Sequence, residues 1–280
     1  MTTNMRIYIT ILLLLIVSLT KAQMIQGRVT DAGGQQAVPY ANIGIVNRGI
    51  GTVADGRGNY SLDISGAGDN DTLQVSCIGF LPRQFRVEQL RTGNPTLDVA
   101  LEENVVNLAE VTIRPRNMKS VVLGNDFSNK NIAAGFSSDD LGSEAGTVMQ
   151  VKKGKTYYLS TAGFNIAKCE YDSILFRMNI YSYKNGKVGD VLHNLPIYIK
   201  VVKDQQRIQL DLRPYQLEVT DDFVMTLEWI QDLANRDESF MFCAGFMGGG
   251  ITWRKTSQDG FQKLPGFGIG MYCIAEYEKN

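Results

Sequence analysis

The 280-residue chain carries 28 Lys and Arg against 29 Asp and Glu, for a net charge of −1. Interspersed charge of this kind offers no basic face and excludes nucleic acid as a partner. One histidine and four scattered cysteines, with no CxxC or Cys/His cluster, supply no zinc ligand set, and nothing in the sequence calls for a cofactor.

The first 22 residues read as an export signal. Arg6 precedes an apolar run from Ile7 to Leu19, and the small residue Ala22 stands before Gln23. The run is shorter than the roughly 20 apolar residues that span a bilayer, so cleavage after Ala22 and no transmembrane segment thereafter are expected, with an uncleaved anchor as the alternative. No Cys follows the run to carry acyl chains. The expected location is the periplasm or the cell surface, associated with an outer membrane.

From Met24 onward the texture is short β-type runs punctuated by Gly, Asn and Asp, without helical spacing. Ile25 to Val29 alternates, Asp31 to Gly34 interrupts, and Val38 to Val46 resumes. Gly51 to Val53 and Tyr60 to Ile64 flank Ala54-Asp55-Gly56-Arg57-Gly58-Asn59, a hairpin in which Asp-Gly supplies the positive φ of a tight turn. Thr72 to Cys77, Leu97 to Leu101 and Val111 to Ile113 bring the count to about seven strands, the number of an immunoglobulin- or transthyretin-like sandwich. Asp55, Asn59 and Asp69 to Asp71 lack the spacing and closing Glu of a calcium loop and are read as turns.

Four of these runs carry a family pattern. Ile25-Gln26-Gly27-Arg28-Val29-Thr30-Asp31, Val38-Pro39-Tyr40-Ala41-Asn42-Ile43, Gly51-Thr52-Val53-Ala54-Asp55-Gly56-Arg57-Gly58-Asn59-Tyr60 and Leu73-Gln74-Val75-Ser76-Cys77-Ile78-Gly79-Phe80 occur in order. Together they resemble the carboxypeptidase-regulatory-like domain. The resemblance implies an accessory β-sandwich over residues 23–113, appended to surface proteins and receptors of Bacteroidetes-type bacteria, and it implies no peptidase activity. In receptors of that kind a segment like Leu101 to Ile113 leads to a plug and barrel. Too few residues remain here for such a barrel, and the segment is read as a last strand entering a linker.

Residues 114–145, rich in Asn, Ser, Asp and Gly, are read as that linker. From residue 146 to 280 eight β-type runs follow, ending in Leu217 to Trp229, Ser239 to Trp253 and Phe267 to Tyr277, and eight is the strand number of a jelly roll. The expected fold is therefore all-β, a seven-stranded sandwich followed by a jelly-roll-like one. Cys243 and Cys273 lie in two late runs that could pair as neighbouring strands and form a candidate disulfide, but buried free thiols, acting as small core hydrophobes, are the expected state.

No catalytic residue is assigned. His193 lies in a loop without a nucleophile elbow and reads as solvated. Glu228, Glu276 and Asp211 are the carboxylates from which a glycan-hydrolysing pair would come, because that chemistry needs only two acids across a bond. Trp253, Phe261 and Tyr215 are the candidate ligand-binding aromatics, with Trp253 the best placed for exposure beside Arg254 and Lys255. The leading expectation is a non-catalytic cell-envelope protein binding a glycan or an envelope protein through its C-terminal sandwich. An accessory subunit of an outer-membrane receptor complex and a carboxylate-based glycan hydrolase are the alternatives.

Overall fold

The computed structural model describes residues 23–92, 95–104, 117–136, 141–231, 233 and 238–279. The export signal and the strand expected at Val111 to Ile113 lie outside the described residues. Two β-sandwiches follow one another along the chain.

In the first, β1 (Met24–Asp31) pairs antiparallel with β4 (Asn59–Asp63) and parallel with β7 (Val99–Leu101). Facing them, β2 (Asn42–Ile45) lies between β3 (Ile50–Val53) and β5 (Thr72–Ser76). Beyond β5 comes β6 (Arg83–Arg86), which runs into the short helix α1 (Val87–Thr92). The alternation predicted for these runs places Ile25, Val29, Ile43, Leu62, Leu73 and Val75 in one core between the sheets. In the Asp55 to Asn59 hairpin the positive φ falls on Gly58 (+79°) and not on Gly56. Asp55 Oδ1 accepts the backbone N–H groups of Arg57 and Asn59, each at 2.8 Å, which organises the turn from its first residue.

The second sandwich has a 7-stranded and an 8-stranded sheet. The larger contains β8 (Met118–Gly124), β9 (Ala133–Phe136), β11 (Tyr157–Cys169), β15 (Arg207–Asp211), β16 (Glu218–Val219), β18 (Phe240–Phe246), β21 (Phe267–Ile269) and β22 (Met271–Glu278). The smaller contains β10 (Glu144–Met149), β12 (Ser173–Lys184), β13 (Lys187–Val191), β14 (Ile197–Val202), β17 (Phe223–Trp229), β19 (Ile251–Arg254) and β20 (Gln262–Leu264). Phe176, Trp229, Phe240 and Phe242 fill the space between them with rings at 4.8 to 6.1 Å, the contact distances of aromatic pairs.

Two expectations change. The segment read as a linker supplies β8, which pairs along β22, and β9, which pairs with β18. Its polar composition reflects an edge strand with exposed Ser120 and turns around it rather than unstructured chain. The eight expected runs resolve into more strands because two of them cross between sheets. Ser239 to Trp253 breaks at Met247 (φ +63°) and Gly250 (φ +96°) into β18 and β19, and Leu217 to Trp229 breaks at Asp221-Asp222 into β16 and β17. Cys243 and Cys273 are free thiols, the state expected for them, and the candidate disulfide is not formed. Cys243 stands opposite Ala133 of β9, and its carbonyl accepts the Gly270 N–H at 2.6 Å, three residues short of Cys273. Burial pushes the Cys273 thiol up to about 12, which leaves it protonated and unreactive.

The sheet containing β2, β3 and β5 docks against the outer face of the smaller sheet of the second sandwich. Gln258 Nε2 donates to Ser76 Oγ and Gln74 Nε2 donates to Gln258 Oε1, each at 2.7 Å, and the Asn47 N–H donates to the Gln258 carbonyl at 2.9 Å. The approach is close enough to require glycine on β2 and β3. A Cβ on Gly44 would lie 2.3 Å from the Ser257 carbonyl oxygen, and one on Gly51 would lie 2.4 Å from it.

Gly44→Val is therefore expected to push the sandwiches apart at a cost of about 1–3 kcal/mol, the range for overpacking a tight contact. Calorimetry should show one unfolding transition in the parent chain and two in the variant. A single transition at unchanged temperature in the variant would contradict this docking.

Candidate functional site

Strand alternation sends Phe176, Met178 and Ile180 of β12 into the core and Arg177, Asn179 and Tyr181 to the other face, where solvent is expected. That face is instead covered by the first sandwich. Arg177 and Glu228 are 1 % and 0 % exposed. Register aligns them in a row across four strands: Arg177 opposite Glu228, Glu228 opposite Glu144, and Glu144 opposite Arg254.

The row alternates as cation, two anions, cation, and every carboxylate oxygen in it is engaged. Glu228 Oε2 accepts from Arg177 Nε at 3.0 Å, Arg177 Nη2 at 2.7 Å and Asn179 Nδ2 at 2.9 Å, and Oε1 accepts from Arg254 Nη2 at 3.2 Å. Glu144 Oε1 accepts from Asn179 Nδ2 at 2.8 Å and from the Thr226 hydroxyl. Its Oε2 takes the Tyr181 hydroxyl at 3.2 Å and Arg254 Nη2 at 2.7 Å. Arg177 also reaches into the first sandwich, donating from Nη1 to the Tyr40 carbonyl at 2.7 Å and from Nη2 to Asn42 Oδ1 at 2.6 Å.

Burial pushes both carboxyls up, but the outcomes differ. At Glu228 the Arg177 and Arg254 guanidiniums outweigh the loss of water and hold the carboxyl below its ordinary range. At Glu144 burial outweighs Arg254, and the neighbouring Glu228 charge adds to the rise.

Above this row the two sandwiches leave a cleft of about 930 Å³. Its walls come from both domains, with the side-chain amides of Asn42, Gln74, Asn104, Asn194, Gln216 and Gln258 around it. Phe261 and Tyr215 line it too. Phe261 packs edge-on against Tyr181 at 5.3 Å, with the Arg254 guanidinium 5.0 Å from its centroid, and Tyr215 stands on a 3₁₀ turn (Arg213–Tyr215). Trp253 is on the opposite face of β19, 36 % exposed at the mouth of a separate apolar pocket beside Phe136 and Phe242. The three candidate aromatics thus divide between two places.

The candidate carboxylates divide as well. Asp211 is an exposed residue forked with Arg213 at 2.8 Å, which holds its carboxyl down at about 2. Glu276 lies opposite Tyr158 and Ser120 in the other sheet. Only Glu228 belongs to the row, and its anionic neighbour Glu144 was missed because it falls where the sequence reads as linker. Among the described residues no three His, Cys, Asp or Glu are grouped to hold a metal ion.

His193 is pinned rather than solvated. Its Nδ1–H donates to the Leu195 carbonyl at 2.8 Å, and its Nε2 accepts the Ile180 N–H at 3.3 Å, so the neutral ring ties the Asp190 to Asn194 wall of the cleft to β12. Burial, assisted by Arg177, lowers its pKa against the opposing bond to Leu195. The unfolded chain therefore takes up the proton first as pH falls. The contribution of His193 to stability is whole above its ordinary pKa of about 6.5 and declines below it.

Two outcomes are expected. Arg177→Met leaves Glu228 short of its main partner and should cost about 3–5 kcal/mol in urea unfolding, part of which Arg177→Met with Glu228→Leu should recover. A loss under about 1 kcal/mol for the single change would contradict the row's role. On acidification from about pH 7.5 to about pH 5.5 the parent chain should lose more thermal stability than His193→Gln does, whereas equal losses would show that the imidazole is not held neutral.

No curated protein matches the sequence. Among solved structures, a Bacteroides uniformis ATCC 8492 protein provisionally named as carbohydrate binding aligns at 12 % identity over 90 % of this chain and 97 % of its own, with a TM-score of 0.24. The VP2 subviral particle of infectious bursal disease virus aligns at 8 % identity over 92 % of this chain and 64 % of its own, with a TM-score of 0.19. The family model of the CarboxypepD_reg-like domain matches residues 25–113, the span in which the four sequence motifs and the seven-stranded sandwich lie. Residues 25–113 are a CarboxypepD_reg-like domain.

Proposed function

We propose that the protein is an exported, non-catalytic envelope protein whose cleft between the two sandwiches binds uncharged sugar units of a glycan. The apolar N-terminal run supports export. The cleft's lining carries the binding reading. Amide side chains each donate and accept, which suits hydroxyls that do the same, and Phe261 and Tyr215 offer faces for the apolar side of a sugar ring. Of the row, Arg177 and Arg254 line the floor, and their pairing with Glu228 and Glu144 neutralises them, so the floor presents polarity without demanding a counter-charge.

Binding fits this geometry better than hydrolysis. A hydrolytic pair must offer one carboxyl to the leaving oxygen and another to the anomeric carbon or to water. The oxygens of Glu144 and Glu228 are all committed to protein donors, and both residues are at most 1 % exposed. The site also needs both domains, since Asn42, Gln74 and Asn104 come from the first sandwich and Gln216, Gln258 and Phe261 from the second.

Screening against neutral oligosaccharides, followed by calorimetric titration of the hits, tests this reading. Phe261→Ala and Tyr215→Ala should each weaken binding about tenfold, equivalent to about 1.4 kcal/mol, while Trp253→Ala should leave it unchanged. Loss of binding in Trp253→Ala alone, or no glycan binding at all, would overturn it.

A further inference from the structure

The cleft does not end at Phe261. On the far side of that ring is a second cavity of about 430 Å³, and Phe261 is the residue that lines both. This second space is again built by the two domains, with Asn47 of the β2–β3 turn facing Tyr183, Lys187, Asp259 and Lys263. Both volumes fall in the usual range for sites that enclose small ligands.

The cavities differ in charge. Ionised side chains at the walls of the larger cleft, apart from the neutralised row, are Asp190 and Glu218. In the smaller one two lysines face a single aspartate, and the Lys263 ammonium is held 5.9 Å from the centre of the Tyr183 ring.

Unmet hydrogen-bonding capacity lies on both sides of Phe261. Among the described residues, two buried side-chain polar atoms lack a partner: Thr252 Oγ1 and Arg254 Nε. Thr252, 3 % exposed, lines the smaller cavity, and Arg254, 9 % exposed, lines the larger one beneath the Phe261 ring. Two residues apart on β19, they share one strand face. Buried polar groups are rarely left unpaired, and a pair flanking one half-buried aromatic ring is accounted for by a ligand that brings hydroxyls to both.

Resting on the glycan reading of the cleft, we infer that the ligand is a linear acidic oligosaccharide that crosses Phe261, with neutral units in the larger cavity and a carboxylate-bearing sugar in the smaller one between Lys187 and Lys263. Phe261 is the platform at the crossing, and Thr252 and Arg254 complete their hydrogen bonds to sugar hydroxyls on either side. The lysines are specificity-determining residues: they select the acid without building the platform.

The test uses the full chain and uronic-acid oligosaccharides of several linkages, each paired with its own carboxyl-reduced form so that only the charge differs. In calorimetric titration the acidic member of a binding pair should bind at least about tenfold more tightly, and raised salt should erase most of the difference. Lys187→Gln with Lys263→Gln should bring the acid down to the affinity of its reduced partner and leave the reduced partner unchanged, with thermal unfolding confirming an intact fold. Equal binding of the two members, or a double variant that weakens both alike, would overturn the acidic selection while leaving the cleft as a glycan site. Failure of every pair to bind would overturn both readings.

Discussion

The row Arg177–Glu228–Glu144–Arg254 is the constraint on which the rest of the molecule depends. Four charges on the outer face of a sheet are unremarkable in water, but here the first sandwich removes the water. Burial of an unpaired ion costs several kcal/mol, so the charges persist only because each carboxylate oxygen finds a donor and the guanidinium of Arg177 finds acceptors in both domains. Replacing such a row by apolar residues need not weaken the fold. What the ionic version adds is directionality: the bonds from Arg177 to Tyr40 and Asn42 form in one docking geometry only.

A fixed docking geometry explains why a cleft exists at all. The glycines of β2 and β3 bring the backbones into contact at Ser257, and the cleft opens beside that contact, lined by Asn42 and Gln258 next to it. That space is polar at its base because the row lies there, and its walls are amide-rich because they come from the hydrophilic rims of two sandwiches. His193 stiffens one wall through two backbone bonds. Pre-organisation of this kind lowers the ordering cost of binding.

Much of the fold is legible in the sequence, and the limits have identifiable physical causes. Period-two alternation and turn chemistry expose the first sandwich because its strands are short, amphipathic and bounded by Asp and Gly. The alternation along β12 separates a core side from a polar side, but nothing local to Phe176, Arg177 and Met178 reveals that a second domain covers the arginine. Glu144 is hidden for a related reason: it begins β10 directly after Gly142 and Ser143, in a stretch whose composition reads as loop. Phe261 and Tyr215 are legible as aromatics in polar surroundings, whereas their common cleft, and the separation of Trp253 from it, depend on which face of β19 each neighbour occupies. The first sandwich, read from sequence as an accessory, contributes a wall and a floor contact to the site.

The central claim is that the site belongs to both domains at once, and hydrogen exchange with and without a bound oligosaccharide tests it most directly. Protection is predicted in residues 74–80 of the first sandwich together with residues 189–194 and 215–218 of the second, the segments that face one another across the cleft. Protection confined to the second sandwich around Trp253, with residues 74–80 exchanging as in the free protein, would contradict it.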